Sequence, residues 1–312
     1  MNDREYTRRY FSDGAGRWLD TAYGAEARVP RTYPIGVRRV RLALDLVTGR
    51  LGSARGRLLD VGCGGGDLCI EAARRGFQTT GVDIAEGMIA EAERRRHALP
   101  GDLGARTTFI VADALDMAAP GGAADAVTAL GLLEYLESDA PFFRRAASWL
   151  RPGGVLVVSC RNRLFNLASL NGYTAREVET GAVPVLLEEL MAARPGPEWR
   201  HALADFVSRL REALPELQQA LEEDGDDRET SPPPAVFAAH RRQHTPRELV
   251  GAAAAAGFRD ARVLGLHPHV FPPAFEPLAP RTYNRLAACF EAFEPSPASL
   301  AWSSAFMAAF TR

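Results

Sequence analysis

The sequence predicts an α/β protein with a mostly parallel sheet at its centre and helices on both faces. Residues 57–61 have the pattern of a buried strand, a helical pattern follows at 67–75, and residues 79–83 have the pattern of a second strand. Short apolar runs and helical patterns continue to alternate up to residue 159. This alternation is typical of strand–helix–strand units, in which successive strands lie parallel to one another.

Five residues, Gly62-Cys63-Gly64-Gly65-Gly66, form the turn after the first strand. Glycine permits positive φ angles and places no Cβ between the backbone and a ligand. Asp67 can cap the following helix. Asp83 ends the second strand about 20 residues beyond the glycines, where an acidic residue binds ribose hydroxyls. The unit therefore predicts a nucleoside-containing ligand at the carboxyl ends of the strands.

The spacing of the glycines separates two classes of ligand. A dinucleotide-binding turn has the pattern Gly-x-Gly-x-x-Gly, and its third glycine would fall on Asp67. The sequence instead has Asp60-x-Gly62-x-Gly64-x-Gly66, which resembles motif I of the class I S-adenosylmethionine (SAM)-dependent methyltransferases. A glycine-rich turn without a ligand is the other explanation, and the acids on both sides of the glycines weigh against it.

Further motifs extend the resemblance over residues 56–160. They are a strand that ends at Asp113, a segment at 125–135 similar to motif IV, and the Arg-Pro-Gly-Gly turn at 151–154 before a fifth strand. The resemblance is closest to the ubiquinone-biosynthesis group of small-molecule methyltransferases. It implies a Rossmann-like, seven-stranded sheet in which strand six spans 262–266 and strand seven, at 300–311, is antiparallel.

The resemblance also implies that SAM is the methyl donor and S-adenosylhomocysteine the product. An aspartate at position 113 would accept a hydrogen bond from the adenine amino group, because a carboxylate is a pure acceptor. The cofactor-binding residues that the resemblance implies in the core are Asp60, Gly62, Cys63, Gly64, Gly66, Asp83, Ile84, Asp113, Ala114 and Leu130.

Two segments lie outside the minimal core, which is predicted at 51–166 and 241–312. Residues 1–50 are rich in aromatic side chains, which either pack helices onto the sheet or form a helical lid. Similar small-molecule enzymes close such a segment over SAM with a tyrosine, so Tyr10 and Arg17 are predicted cofactor contacts.

The second segment, 167–240, is an insertion with helical patterns at 174–193 and 197–224. We expect this insertion to cap the site, which favours a small-molecule substrate. A dimer interface is the alternative, so a monomer and a homodimer both remain open.

Candidate catalytic and substrate-binding residues flank the insertion. Arg161 and Asn162 follow the fifth strand, whose carboxyl end faces the crevice, so they are predicted to contact substrate. His240 and His244 stand where the insertion returns to the core, and an imidazole can accept a proton near neutral pH. Tyr135 occupies the position where similar enzymes often carry histidine; that imidazole is missing, and Tyr135 is the third catalytic candidate. Structural roles in loops and caps are the alternative.

Other polar residues have weaker reasons to be functional. His267 and His269 follow strand six, where a loop role is favoured. The arginines at 161, 163, 241 and 242 could hold a carboxylate or phosphate on the substrate. No His/Asp/Glu set has the spacing of metal ligands, so no metal is predicted.

Composition restricts the remaining possibilities. A formal net charge of −2 over 312 residues gives no general attraction to nucleic acid. No apolar run approaches the roughly 20 residues of a membrane helix, and no apolar core follows the first residues as in a signal peptide. The four cysteines form no Cys-x-x-Cys pair, which favours a reducing cytoplasm. The chain has no lysine, which excludes Schiff-base chemistry on this chain.

The sequence therefore predicts a cytoplasmic enzyme that transfers a methyl group from SAM to oxygen or nitrogen of a small metabolite. A nicotinamide oxidoreductase is disfavoured by the missing third glycine. A non-catalytic, SAM-binding subunit is a further alternative. A nucleic-acid methyltransferase lacks both a basic stripe and the Asn/Asp-Pro-Pro-Tyr/Phe motif in this chain.

Overall fold

The protein is described by a computed structural model that covers residues 3–13, 15, 31–226 and 241–312. The described residues contain a seven-stranded sheet in the order β3-β2-β1-β4-β5-β7-β6. Its strands are β1 (Arg57–Val61), β2 (Gln78–Asp83), β3 (Thr107–Val111), β4 (Ala124–Leu130), β5 (Leu150–Arg161), β6 (Arg259–Pro268) and β7 (Ser303–Thr311).

The directions of the strands confirm the predicted Rossmann-like class. Strands β1 to β5 pair in parallel, whereas β7 pairs antiparallel with both β5 and β6. Strand β6 therefore runs in the same direction as β1 to β5, and its end at His267 and Pro268 lies at the same edge as the end of β5 at Arg161. This carboxyl edge is where α/β proteins bind ligands.

Helices cover both faces of the sheet. They are α1 (Asp3–Asp13), α2 (Ile35–Leu51), α3 (Asp67–Arg75), α4 (Glu86–His97), α5 (Asp139–Trp149), α6 (Asn166–Ser169), α7 (Gly172–Glu179), α8 (Val183–Ala192), α9 (Glu198–Asp226), α10 (Pro246–Ala255) and α11 (Pro280–Phe290).

Successive residues of each central strand enter different cores. In β1, Leu58 belongs to the core with α2 and α3, whereas Leu59 belongs to the core with α5 and α10. Phe142, Phe143 and Trp149 of α5 are almost completely buried in the second core. Burial of each such side chain contributes about 1.5–3 kcal/mol, and the two cores hold the strand ends in fixed register.

The insertion packs against the core rather than over the cavity described below. Leu186 of α8 is buried in the core that contains α5 and α10. Helix α9 packs on α11 through Leu217 and Cys289, and Trp199 stacks on Phe293 with ring centroids 4.7 Å apart. The described part of the insertion, 167–226, contributes no lining residue to that cavity. This corrects the expected cap for those residues; residues 227–240 lie outside the described chain.

A buried ion pair fastens α7 to the end of β5. Arg163 donates from Nε and Nη2 to the two carboxylate oxygens of Glu177, at 2.9 and 2.7 Å. Asn166 Nδ2 donates to Glu177 Oε1 at 2.8 Å and to Gln243 Oε1 at 2.8 Å. The same few side chains therefore connect β5, the insertion and the segment that leads into α10.

The predicted helix at 174–193 consists of two helices, α7 and α8. They are separated at residues 180–182, where Gly181 has a φ of +69°. A left-handed glycine ends a helix and starts a new direction, which apolar periodicity alone did not show.

Gly66 has both a conformational and a steric requirement for glycine. Its φ is +80°, and a Cβ added there would lie 2.4 Å from Phe109 Cζ. Gly121 has a similar φ of +71°, but nothing lies within 4 Å of the place that a Cβ would take there. Comparison of the two glycines therefore separates the cost of a left-handed backbone from the cost of the steric contact between the turn and β3.

We predict that Gly66→Ala and Gly121→Ala each lower the free energy of unfolding by about 1–2 kcal/mol for the left-handed backbone. Gly66→Ala should cost about 1–3 kcal/mol more, because Phe109 must move. Urea unfolding followed by circular dichroism measures both variants. Equal losses of unfolding free energy in the two variants would show that the contact with Phe109 does not contribute to the cost of Gly66→Ala.

Candidate active site

A cavity of about 320 Å³ opens at the carboxyl edge of the sheet. Its described lining residues all lie between positions 7 and 141. Most come from three places: the glycine turn, the ends of β2 to β4, and helix α1. The lining residues that the following paragraphs use are Phe11, Arg39, Gly62, Cys63, Gly64, Asp83, Ile84, Asp113, Ala114, Leu130, Glu134 and Tyr135.

Asp83 connects the glycine turn to the end of β2. Its Oδ2 accepts a hydrogen bond from Gly64 N at 2.9 Å, and its Oδ1 accepts one from Ala85 N at 2.9 Å. Gly62 N and Cys63 N both donate to Val82 O, at 2.8 and 3.0 Å. Burial raises the pKa of Asp83, although the backbone donors oppose that shift. The carboxylate therefore shapes the turn and also faces the cavity.

The other predicted residues at the ends of the strands also line the cavity. Ile84 follows β2, Asp113 and Ala114 follow β3, and Leu130 ends β4. Asp113 Oδ1 accepts a hydrogen bond from Leu115 N at 2.8 Å. The structure thus brings two acidic groups, Asp83 and Asp113, to neighbouring strand ends in one cavity, as the sequence predicted.

Asp60 and Gly66 belong to the motif but do not line the cavity. Asp60 is buried inside the sheet, where its Oδ1 accepts a hydrogen bond from Thr128 Oγ1 at 2.6 Å. Burial raises the pKa of Asp60 to about 7, with the Thr128 hydroxyl opposing the shift. Gly66 precedes α3 and lies against Phe109. For both residues the structure corrects the predicted cofactor contact to a role in shaping the turn.

The N-terminal helix reaches the cavity through residues other than those predicted. Thr7 and Phe11 of α1 line it, and the Phe11 ring packs edge-on against Tyr135 with centroids 5.4 Å apart. Tyr10 instead stacks on Tyr6 and is not a lining residue. Arg17 lies outside the described residues. The segment therefore covers part of the cavity, but Tyr10 does not face it.

Tyr135 lines the cavity but is a poor base. Burial, reinforced by the neighbouring Glu134, raises the pKa of its hydroxyl far above neutral pH. Arg241 lies over the Tyr135 ring, with Cζ 5.8 Å from the centroid. Tyr135 therefore shapes the wall of the cavity, and its raised pKa argues against a role as proton acceptor; a catalytic role of another kind stays a prediction.

His244 and Asn162 hold the chain together at the end of β5. His244 is 1% exposed, and its Nε2 lies 3.0 Å from Asp139 Oδ1. Asn162 Nδ2 donates to Leu300 O and Ser303 O, both at 2.8 Å, and its Oδ1 accepts from Leu164 N at 3.0 Å. Neither side chain lines the cavity, so their catalytic and substrate-binding assignments are corrected to structural ones. His240 lies outside the described residues.

Four arginines were candidates for holding an anionic substrate, and two of them serve the fold. Arg163 binds Glu177, as described above. Arg242 donates to both oxygens of Asp139, at 2.7 and 3.0 Å. Burial opposes ionisation of Asp139, but its hydrogen bonds with His244 and Arg242 lower its pKa to about 2.

Arg161 and Arg241 lie next to residues that line the cavity. Arg161 Nε lies 4.0 Å from Glu134 Oε2, and its Cζ lies 5.6 Å from the ring centroid of Tyr173. Arg241 stacks on Tyr135, as noted above. Neither is a described lining residue of the cavity, so a substrate contact by Arg161 stays a prediction.

His267 and His269 form a stacked column with two other rings. Tyr33 stacks on His267, and Phe165 stacks on His269, with centroids 4.4 and 4.9 Å apart. Burial lowers the pKa of His269 to about 4 and that of His267 well below its usual value. Both imidazoles are therefore neutral and structural, although His267 lies within β6 and not in the loop expected from the sequence.

Two charged lining residues were not identified as site residues from the sequence. Arg39, on α2, places its Nη1 2.9 Å from the position of a Cβ on Gly131. Glu134 is buried, and its Oε2 has no hydrogen-bond partner among the described residues. Arg39 lies on α2, outside the motifs on which the sequence prediction of the site was based. Glu134 was not identified because the sequence analysis considered the next position, where similar enzymes often carry histidine and this chain has Tyr135.

Comparison with known proteins agrees with this geometry. A family model described as a methyltransferase domain matches residues 58–154. The ubiquinone biosynthesis O-methyltransferase of Xanthomonas axonopodis pv. citri (strain 306) is 36% identical over 176 residues, which cover 55% of this chain and 69% of that protein. The protein of the same name from Xanthomonas campestris pv. campestris (strain B100) is 35% identical over 176 residues, with the same coverage of both proteins.

Solved structures share the fold over the whole chain. Magnesium protoporphyrin IX methyltransferase from Synechocystis PCC 6803, with bound S-adenosylhomocysteine, superposes with a TM-score of 0.56 at 17% identity and full coverage of both chains. Phosphoethanolamine N-methyltransferase 2 from Haemonchus contortus, in complex with SAM, gives 0.56 at 15% identity and covers all of this chain and 60% of that one.

The fold, the glycine turn and the two acids together have the arrangement expected of a SAM-dependent transferase. With the relatives, they place this chain in the class I SAM-dependent methyltransferases, a family of enzymes. In the described part of the chain, no helix is long and apolar enough to cross a membrane, and no cluster of three His, Cys, Asp or Glu side chains could hold a metal ion.

We predict that Asp60 makes stability fall as pH rises. Its pKa is raised from 3.8 to about 7 in the folded state. The stabilisation from its protonated form is complete below the unfolded-state pKa and is lost as pH rises through the folded-state pKa. Asp60→Asn keeps the acceptor for Thr128 and removes the titration.

Urea midpoints of wild type and Asp60→Asn at about pH 5 and about pH 8 check this sign, since other titrating groups cancel in the difference. The variant should gain stability relative to wild type at the higher pH. A difference between the two proteins that is independent of pH would contradict the assignment.

Proposed function

We propose that this enzyme transfers the methyl group of SAM to an oxygen or nitrogen of a small metabolite, with oxygen favoured. Its curated relatives are named O-methyltransferases. The observation that carries the proposal is the pair of acids at adjacent strand ends, with Asp83 bonded to the glycine turn and Asp113 beside it in one cavity.

The residues of the cavity match the polar groups of SAM. Asp83 supplies carboxylate lone pairs that can accept hydrogen bonds from the two ribose hydroxyls. Asp113 is proposed to accept from the adenine amino group. Ile84 and Ala114 are apolar lining residues beside these acids and are proposed to contact the adenine ring.

Arg39 is proposed to hold the α-carboxylate of the cofactor. It is the one cationic side chain among the lining residues of the described chain. SAM carries one carboxylate, and guanidinium–carboxylate pairs are short, directional and strong. Arg39 lies beside Gly131, so its proposed ion pair with the carboxylate of SAM would lie near the end of β4, away from the proposed adenine position.

Bound SAM supplies a sulfonium methyl group that a nucleophile can displace. The chain's own task is to hold donor and acceptor in line and to keep water out, and orientation alone can account for several powers of ten in rate. Leu130 is proposed to line the donor, while Phe11 and Tyr135 form an apolar wall that excludes water. A small metabolite fits this arrangement better than nucleic acid, given the net charge of −2.

We further propose a cytoplasmic location, consistent with cysteines that are all free and buried. Oligomeric state stays a prediction of monomer or homodimer. Residues 227–240, with His240, keep their predicted place as a cap segment near the site.

We predict that Asp83→Ala and Asp83→Asn weaken SAM binding by about 10–100-fold, because each loses charge-assisted hydrogen bonds worth about 1.5–3 kcal/mol. Asp83→Asn keeps one of the two acceptor oxygens and places an amide donor opposite one of the backbone N–H groups of Gly64 and Ala85. Isothermal titration with SAM and S-adenosylhomocysteine measures the effect.

Asp102→Asn is the matched control, since Asp102 is exposed and pairs only with the neighbouring Arg106 among the described residues. It should leave the affinity for SAM unchanged. Wild-type protein that produces no heat with either ligand would refute the proposed function itself, and unchanged affinity in both Asp83 variants would refute this mode of binding.

A further inference from the structure

Glu134 is a buried carboxylate that the fold does not use. It lies just beyond the end of β4, in a single 3₁₀ turn at Leu133–Tyr135, and it lines the cavity. The residue is 8% exposed. In the described part of the chain its Oε2 has no hydrogen bond, and the nearest cation, Arg161 Nε, is 4.0 Å away. Buried charges without hydrogen bonds are rare and costly, so they call for an explanation.

Two nearby acids with structural roles, Glu177 and Asp139, differ from Glu134 in their hydrogen bonds. Glu177 receives two hydrogen bonds from Arg163, and Asp139 receives two from Arg242 and lies within hydrogen-bond distance of His244. Those carboxylates are saturated by groups of the fold. Glu134 is surrounded by charge, but among the described residues its Oε2 accepts no hydrogen bond, which leaves this oxygen able to bind a proton or a ligand in the cavity.

The electrostatic surroundings of Glu134 come from four side chains on three elements. Arg39 of α2, Arg161 of β5, and Arg241 and His244 of the segment before α10 all act to lower its pKa. Burial acts more strongly in the other direction, and the pKa of Glu134 is raised overall. In its ionised form, a carboxylate with a raised pKa is a better proton acceptor than an exposed one.

Resting on the proposed function, we propose that Glu134 is the general base of the methyl transfer and that the acceptor is a neutral hydroxyl compound. As the acceptor oxygen forms its bond to the methyl carbon, the sulfur–methyl bond breaks and its electron pair stays on the sulfur of S-adenosylhomocysteine. The hydroxyl proton passes to Glu134 Oε2. The proton then leaves to solvent, which restores the carboxylate for the next turnover.

This assignment narrows the class of substrate. A carboxylate acceptor carries no proton to remove, and a neutral amine can attack before it loses one. A hydroxyl is a weak nucleophile until its proton is taken, so a positioned base is most useful there.

The test compares Glu134→Gln with wild type on acceptors of different acidity. The probes are catechol, 4-nitrocatechol and benzyl alcohol, with benzylamine and benzoate as matched acceptors without a hydroxyl, and labelled methyl transfer from SAM is the readout. The variant should lose about 10²–10³-fold in kcat on catechol, as expected for removal of a general base. On 4-nitrocatechol the loss should be at least tenfold smaller, because the nitro group makes that hydroxyl ionise without help.

Three controls separate a base from a structural residue. Affinity for S-adenosylhomocysteine should stay within threefold in Glu134→Gln, which a collapsed cavity would not allow. Glu134→Asp should recover part of the activity and keep the fall of kcat/KM at acid pH, whereas Glu134→Gln should lose that fall. Glu179→Gln, a matched change at an exposed position of α7, should behave as wild type.

Several outcomes would overturn the proposal while leaving SAM-dependent methyl transfer intact. For Glu134→Gln they are an equal loss of rate on catechol and 4-nitrocatechol, an unchanged rate, and a loss of SAM affinity that accounts for the whole effect. For the wild-type enzyme they are SAM binding without methylation of any hydroxyl probe, and methylation of only the amine or the acid. Failure of wild-type protein to bind SAM would instead remove the proposed function on which this inference rests.

Discussion

The site depends on the carboxylate of Asp83. One oxygen accepts from Gly64 N in the turn after β1, and the other accepts from Ala85 N at the start of the segment after β2. Two loops from adjacent parallel strands are thereby fixed to each other through one side chain. These bonds within the chain help to fix the shape of the turn, and such preorganisation lowers the conformational cost of binding a ligand.

The parts that the sequence could predict are those encoded in contiguous residues. The glycine turn, the acids that follow β2 and β3 and the order of strands and helices depend on local pattern, and the structure agrees with them. Asp60 shows the limit of this reasoning. It lies one residue before the end of β1, so it faces Thr128 inside the sheet, whereas Asp83 is the last residue of β2 and reaches the cavity.

Residues placed by distant packing could not be predicted in this way. Arg39 reaches the cavity because α2 packs on β4 and β5, and Phe11 does so because α1 packs near the start of α4. His244 had the chemistry of a base but is held inside by Asp139. The position of the insertion is also set by distant packing, since its apolar faces pack against α5, α10 and α11. Residues 167–226 therefore contribute no lining residue to the cavity.

All described lining residues of the cavity come from positions 7 to 141, while the remaining half of the chain builds the far side of the sheet and the insertion. The described wall of the cavity is therefore encoded by one contiguous stretch of the gene, which ends within α5. Substitutions downstream of α5 act on this wall indirectly, as a change at Arg161 would act through Glu134 and a change at Arg242 through Asp139.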